Sequence, residues 1–127
     1  MKLRIQANSL RLRVSQSELA RFVETGMLEE TIYLGPGIGS ELTYSLIRDG
    51  HRKRLDVRAS PGYLHVLVPA ALARTWSETE QVGIEAEISL GVRGNLSLLV
   101  EKDFACIDRS DAENADTFPN PRLSLVC

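Results

Sequence analysis

Apolar and polar residues alternate in short runs along most of this chain, and the runs come in the same order twice. Leu3 and Ile5 alternate with Arg4 and Gln6, a turn falls at Ala7-Asn8, and Leu10, Leu12 and Val14 alternate with Arg11 and Arg13. A period of two with one apolar set marks a half-buried strand, so this segment predicts a hairpin. Ser15 followed by Glu18 is a capping-box pattern, in which a hydroxyl accepts an orphan backbone N–H and the carboxylate returns to the cap. A short helix is expected there, with Leu19, Phe22 and Val23 on its apolar face and Gly26 as the left-handed residue that ends it. Leu28 to Leu34, the loop 35–39 and Leu42 to Ile47 predict a second hairpin.

Residues 54–103 repeat the plan. Leu55 to Arg58, a turn at Ser60-Pro61-Gly62 and Leu64 to Val68 predict a hairpin. Pro69 then suits a first helical turn, and Leu72, Ala73 and Trp76 face inward. Val82, Ile84, Ala86, Ile88 and Leu90 alternate with polar residues and glycine, and a turn at Arg93-Gly94-Asn95 leads into Leu96 to Glu101. Leu10, Leu12 and Val14 align with Leu64, Val66 and Val68, and Leu42, Tyr44, Leu46 and Asp49 align with Leu96, Leu98, Val100 and Asp103, all at one offset. The chain thus reads as two ββαββ units, residues 2–49 and 54–103, followed by a tail, residues 104–127. One amphipathic helix cannot cover four strands. The units are therefore expected to associate about a pseudo-two-fold axis into an α+β fold, as one antiparallel sheet or partly closed barrel with two short helices.

Length and composition fit this picture: 127 residues with 43% apolar side chains suffice for one domain with one core. No stretch approaches the roughly 20 apolar residues of a membrane span, and the N-terminus lacks the apolar run of a signal peptide, so no membrane association is expected and the cytoplasm is the expected compartment. A net charge of -2 argues against nucleic acid as a partner. The charge is uneven, however. Residues 1–60 carry ten Lys/Arg against seven Asp/Glu, and residues 61–127 carry five against ten. The acidic C-terminal part is expected to lie near the more basic first unit.

The tail reads as an appendage. Asp108, Asp111, Glu113 and Asp116 predict a loose, solvated stretch, while Phe118 and Leu123 to Val126 are apolar enough to dock back on the repeat. Topologically, the ββαββ plan looks like the duplicated β-α-β-β domains that bind small effectors in some bacterial regulators. The Asn8-Ser9-Leu10-Arg11-Leu12-Arg13 opening, the Val100-Glu101-Lys102-Asp103-Phe104-Ala105-Cys106 segment and the Phe118-Pro119-Asn120-Pro121 tail together resemble a family of short bacterial proteins of unknown function. That resemblance implies no activity, substrate or cofactor.

If Leu10, Leu12 and Val14 face the helices, alternation places Arg11, Arg13, Glu29, Thr31, Tyr33, Thr43, Ser45, His65, Leu67, Glu85, Glu87, Ser97, Leu99 and Glu101 on the opposite face. Two readings of that face stand side by side. In one it is a solvated surface whose charges pair across strands. In the other it is a groove that holds a small ligand, with anions favoured by Arg11 and Arg13 and with Tyr33, His65 and Glu101 as further candidate contacts. A protein-interaction or assembly module using the tail and an exposed strand edge is the alternative function; an enzyme ranks third. Cys106 and Cys127 with His51 and His65 do not make a metal-ligand signature, and no cofactor is implied. The loop 35–39 lacks the strand-to-helix setting of a phosphate loop, and the basic run 51–54 is a linker between the units.

Overall fold

The structure, a computed structural model, describes residues 1–106 and 109–120. Its elements follow the expected order: β1 (Lys2–Gln6), β2 (Ser9–Val14), α1 (Gln16–Thr25), β3 (Met27–Tyr33) and β4 (Glu41–Asp49), then β5 (Asp56–Ser60), β6 (Tyr63–Pro69), α2 (Ala70–Glu78), β7 (Gly83–Ser89) and β8 (Asn95–Lys102). Local signals act as anticipated. Ala7 takes a positive φ in the β1–β2 turn. Ser15 and Glu18 close both halves of the capping box, and Gly26 at φ 80° ends α1 with its N–H on the Phe22 carbonyl.

The fold is α+β, as expected, with its strands divided between two sheets instead of joined in one antiparallel sheet or closed into a barrel. They form two four-stranded sheets, β1-β2-β8-β7 and β3-β4-β6-β5. Each sheet combines the first hairpin of one unit with the second hairpin of the other, and the central pairs, β2–β8 and β4–β6, run parallel. The helices are the cause. Each helix carries the chain from a strand of one sheet to a strand of the other, so the two hairpins of a unit cannot lie side by side. Period-two alternation sets which face is buried but is silent on the direction of the neighbouring strand.

The exchange is two-fold symmetric in register as well as in order. Leu10 stands beside Leu98 and Leu12 beside Val100 in the first sheet; Leu64 stands beside Tyr44 and Val66 beside Leu46 in the second. The offset that aligns the units in sequence converts one set of pairs into the other. The core draws on both sheets and both helices, and includes Leu12, Leu28, Leu46, Val66, Val68, Leu98 and Val100. Phe22 and Trp76 meet at its centre, ring centroids 6.4 Å apart and edge to face. Val23, expected inward, is exposed at the rim of α1.

The described part of the tail, residues 104–106 and 109–120, is more regular than its composition suggests. A third helix, α3 (Asp111–Asn114), starts from a second capping box between Ser110 and Glu113. Asp116 then lies at the N-terminus of α1, where its carboxylate accepts from the Ser17 N–H at 3.0 Å and its carbonyl from the Gln16 N–H at 2.8 Å. Anions are favoured at that end of a helix, so the acidic tail meets the first unit through a helix terminus. Phe118 packs against the core, and its N–H donates to the Asp103 carbonyl at 2.8 Å. The expected docking of residues 123–126 lies outside the described residues. Asp103 closes this clasp: it is buried and accepts from Lys2 Nζ at 2.6 Å and Arg109 Nη1 at 3.1 Å.

Two outcomes are expected. Leu12→Ala should lower unfolding free energy in urea by about 2–5 kcal/mol and Val66→Ala by somewhat less, since each leaves a cavity in the core; an unchanged midpoint for both would contradict the assigned faces. Burial alone would push the Asp103 carboxyl up, but hydrogen bonds from Lys2 and Arg109 outweigh it and hold it below the usual carboxylate range. Its folded value is therefore below its unfolded one. Asp103 stabilises the fold above the ordinary carboxylate range, and that contribution disappears as pH falls through the folded value. Asp103→Asn should flatten the acid limb of a stability-versus-pH curve, measured by urea unfolding.

Candidate functional site

The outward face of the first sheet is built in rows by the pairing of its four strands. Lys2, Arg13, Glu101 and Gly83 form one row; Arg4, Arg11, Leu99 and Glu85 the next; Gln6, Ser9, Ser97 and Glu87 the third. Cations sit on β1 and β2, and acidic groups on β8 and β7. The face is bipolar, with Leu99 as an apolar floor between Arg11 and Glu85, whose strands are about 9–10 Å apart.

Glu101 organises the middle of this face. One carboxylate oxygen accepts from Arg11 Nε at 2.5 Å and from Arg13 Nε at 3.0 Å, and Arg11 Nη2 reaches the same oxygen. Glu101 is buried and both arginines are half-buried, so this is a partly desolvated triad with one net positive charge. Among the described residues, Arg13 makes no hydrogen bond through its two terminal nitrogens. The triad therefore holds the guanidiniums in place and leaves donors for an incoming acceptor. A groove of about 570 Å³ runs along the face beside it, lined by Ser9, Arg11, Glu85, Glu87, Ser97 and Leu99. Ser97 Oγ donates to Glu87 Oε1 at 2.5 Å on its acidic wall. A smaller hollow of about 150 Å³ lies at the other end, beside Arg13, Glu101 and Asp103.

Tyr33 and His65 are not on this face. Both belong to the second sheet, so the residues singled out in the sequence divide into Arg11, Arg13 and Glu101 on one sheet and Tyr33 and His65 on the other. Tyr33 is exposed at the end of edge strand β3. His65 Nδ1 and Ser45 Oγ share a hydrogen bond, and the His65 ring stacks on Tyr63 with centroids 6.0 Å apart. Ser45 is fully buried, so the contact satisfies a buried hydroxyl and offers no accessible nucleophile. The two outward faces are equivalent by symmetry and different in chemistry: where the first sheet sets Arg13 beside Glu101, the second sets Leu67 beside Ile47.

Lys2 and Arg4 share this face with the residues that alternation singles out. The signal was the β1–β2 turn at Ala7-Asn8, whose hairpin register places Lys2 across from Arg13 and Arg4 across from Arg11. Gly83 is a further one. A Cβ at that position would lie 2.7 Å from the Val100 carbonyl oxygen and 3.0 Å from the Glu101 Cβ, so only glycine lets β7 approach β8 beside the triad.

Fold and face together define an α+β protein of two exchanged four-stranded sheets with a bipolar groove on one of them. The chain belongs to a family of unknown function (DUF7009), whose model matches residues 1–122. Searches of curated proteins and of solved structures found no match. No helix among the described residues is long and apolar enough to cross a membrane.

Gly83→Ala should push β7 away from β8 and loosen Glu101, while Glu101→Gln should remove charge from the triad and cost roughly 1–3 kcal/mol of stability. Urea denaturation measures both; wild-type stability in both variants would mean that the triad contributes nothing to the fold.

Proposed function

We propose that this protein binds a small ligand carrying an anionic group on the outward face of its first sheet, without catalysing a reaction. The observation that carries the reading is Arg11, held together with Arg13 by Glu101, on the wall of the 570 Å³ groove, with Arg13 and Glu101 lining the smaller hollow beyond it. A volume of this order is typical of small-molecule sites. An anionic group on the ligand meets the Arg11 guanidinium, and a donor or cationic group at its other end meets Glu85 and Glu87. Compact zwitterions such as amino acids suit both walls, whereas a simple dianion suits only one.

Titration calorimetry of the full chain against amino acids, dicarboxylates and phosphates tests this. Saturable binding should weaken about tenfold or more in the Arg11→Lys/Arg13→Lys double variant, because lysine keeps charge and loses the planar fork, with folding unchanged. Glu85→Gln should weaken zwitterions and strengthen simple anions. If no member of the panel binds saturably, the face is a solvated surface.

An assembly role has one observation in its favour. Edge strand β3 and the loop after it expose Ile32, Tyr33, Leu34 and Ile38 together, and apolar patches on an edge strand attract partners. Sedimentation analysis of Ile38→Asp against wild type separates the readings: a concentration-dependent oligomer lost in the variant supports assembly.

A further inference from the structure

The strand that supplies Glu101 to one face turns its next residue, Lys102, into a different cavity. Lys102 is only 6% exposed. Its ammonium donates to the Thr79 carbonyl at 2.8 Å and stands 5.5 Å from the centre of the Phe118 ring. Among the described residues no carboxylate lies within salt-bridge distance of it. An ammonium has three N–H donors, and among the described residues one of them, to the Thr79 carbonyl, is used. The cavity beside it measures about 440 Å³, with Val82, Phe104, Phe118 and Pro119 as apolar walls and Glu80 and Thr79 at its border.

Symmetry separates what is structural here from what is not. The residue of the first unit equivalent to Lys102 is Arg48, since each stands beside the last valine of a central strand, Val14 or Val68. Arg48 Nη1 donates to the Val23 carbonyl in the last turn of α1 at 2.8 Å, and Lys102 reaches the residue that caps α2. Both cations therefore serve the C-terminal ends of helices, where positive charge is favoured. That service explains Arg48 completely. It does not explain why Lys102 faces a larger cavity walled by two phenyl rings. The first unit passes from Gly26 directly into β3, whereas the second inserts residues 79–82 between helix and strand, and the tail brings Phe118 and Pro119 to the opening.

We infer that this cavity is a binding site for a small monocarboxylate with an aromatic or compact aliphatic body, its carboxylate received by Lys102 and its body held between Phe104, Phe118 and Val82. An inserted carboxylate would set a counter-charge and acceptors beside an ammonium whose protein acceptor is the Thr79 carbonyl. Burial pushes the Lys102 pKa down, with the Glu80 charge opposing, and a carboxylate set beside the ammonium would favour its charged form. Phe104 and Phe118, with centroids 6.2 Å apart and tilted by 56°, offer a ring edge and a ring face to an apolar body. Glu80 at the rim repels a second negative charge, which restricts the site to monocarboxylates.

Amide-resolved NMR titration of the full chain with benzoate, benzamide, benzylamine and hexanoate tests this. Benzoate and hexanoate should shift the resonances around Lys102, Phe104 and Phe118 saturably, and benzamide and benzylamine should bind at least about tenfold more weakly. Lys102→Met should abolish the benzoate response. Because that variant also removes a helix-end contact, Glu80→Gln is the second arm: Glu80 is exposed and has no ion pair among the described residues, so folding should be unchanged and benzoate should bind several-fold more tightly. Arg11→Lys/Arg13→Lys should leave benzoate binding unchanged, so failure here and failure of the groove reading are distinguishable. The inference is overturned if benzoate gives no saturable shift, if benzamide binds equally well, if Glu80→Gln leaves the affinity unaltered, or if the shifts fall on Arg11 and Glu85.

Discussion

Phe22 and Trp76 meet where the two crossovers meet, and most of the architecture follows from that contact. Each ring comes from the helix that carries its unit from one sheet to the other. Trp76 is fully buried, and its indole N–H donates to the Val82 carbonyl at 3.1 Å, which fixes the backbone just before β7. Each helix carries its chain from one sheet to the other, so the two hairpins of a unit lie in different sheets, and the ring contact ties the two crossovers together. Each hairpin must find its neighbour in the other unit. The parallel central pairs, the shared core and the position of β8 beside β2 are consequences of that one constraint.

The position of β8 beside β2 in turn creates the charged face. Glu101 and its two arginines come from opposite ends of the chain, and only the exchange of hairpins makes them neighbours. The fold offers two outward faces of the same register, and the sequence has filled them differently. On the first, charges are concentrated and partly desolvated around a groove; on the second, hydroxyls, an imidazole and apolar side chains satisfy one another. A backbone scaffold thus fixes where side chains stand without fixing what they do, which is the usual relation between a fold and its sites.

Local chemistry made the elements legible in the sequence, and their partners were hidden for a physical reason. Ser15, Glu18 and Gly26 announce the start and end of α1 because capping is settled within a few residues. The same Ser-x-x-Glu spacing at Ser110 and Glu113 carried equal information, and the acidic composition around it masked the helix that forms there. Leu10, Leu12 and Val14 reveal a buried face, yet the same alternation serves a parallel or an antiparallel neighbour, so the division into two sheets could not be read from it. For the site, Arg11 and Arg13 were visible as a pair on one strand. Alternation sets Glu101 on the same face, but its place between them depends on a pairing across 90 residues, and alternation alone does not separate Tyr33 and His65, which belong to the second sheet, from that face.

The exchanged hairpins also bear on how such a chain could have arisen. A peptide equivalent to one unit would leave two hairpins with open central edges, each matched in register to the hairpin it lacks. Two copies of that peptide would supply one another's missing strands about a true axis, with the same backbone pairing of central strands. Joining them in one chain leaves that backbone pairing unchanged. What it adds is freedom for the copies to differ, so that a strand position can hold Arg13 in one half and Leu67 in the other, a distinction that no symmetric pair of identical chains can make.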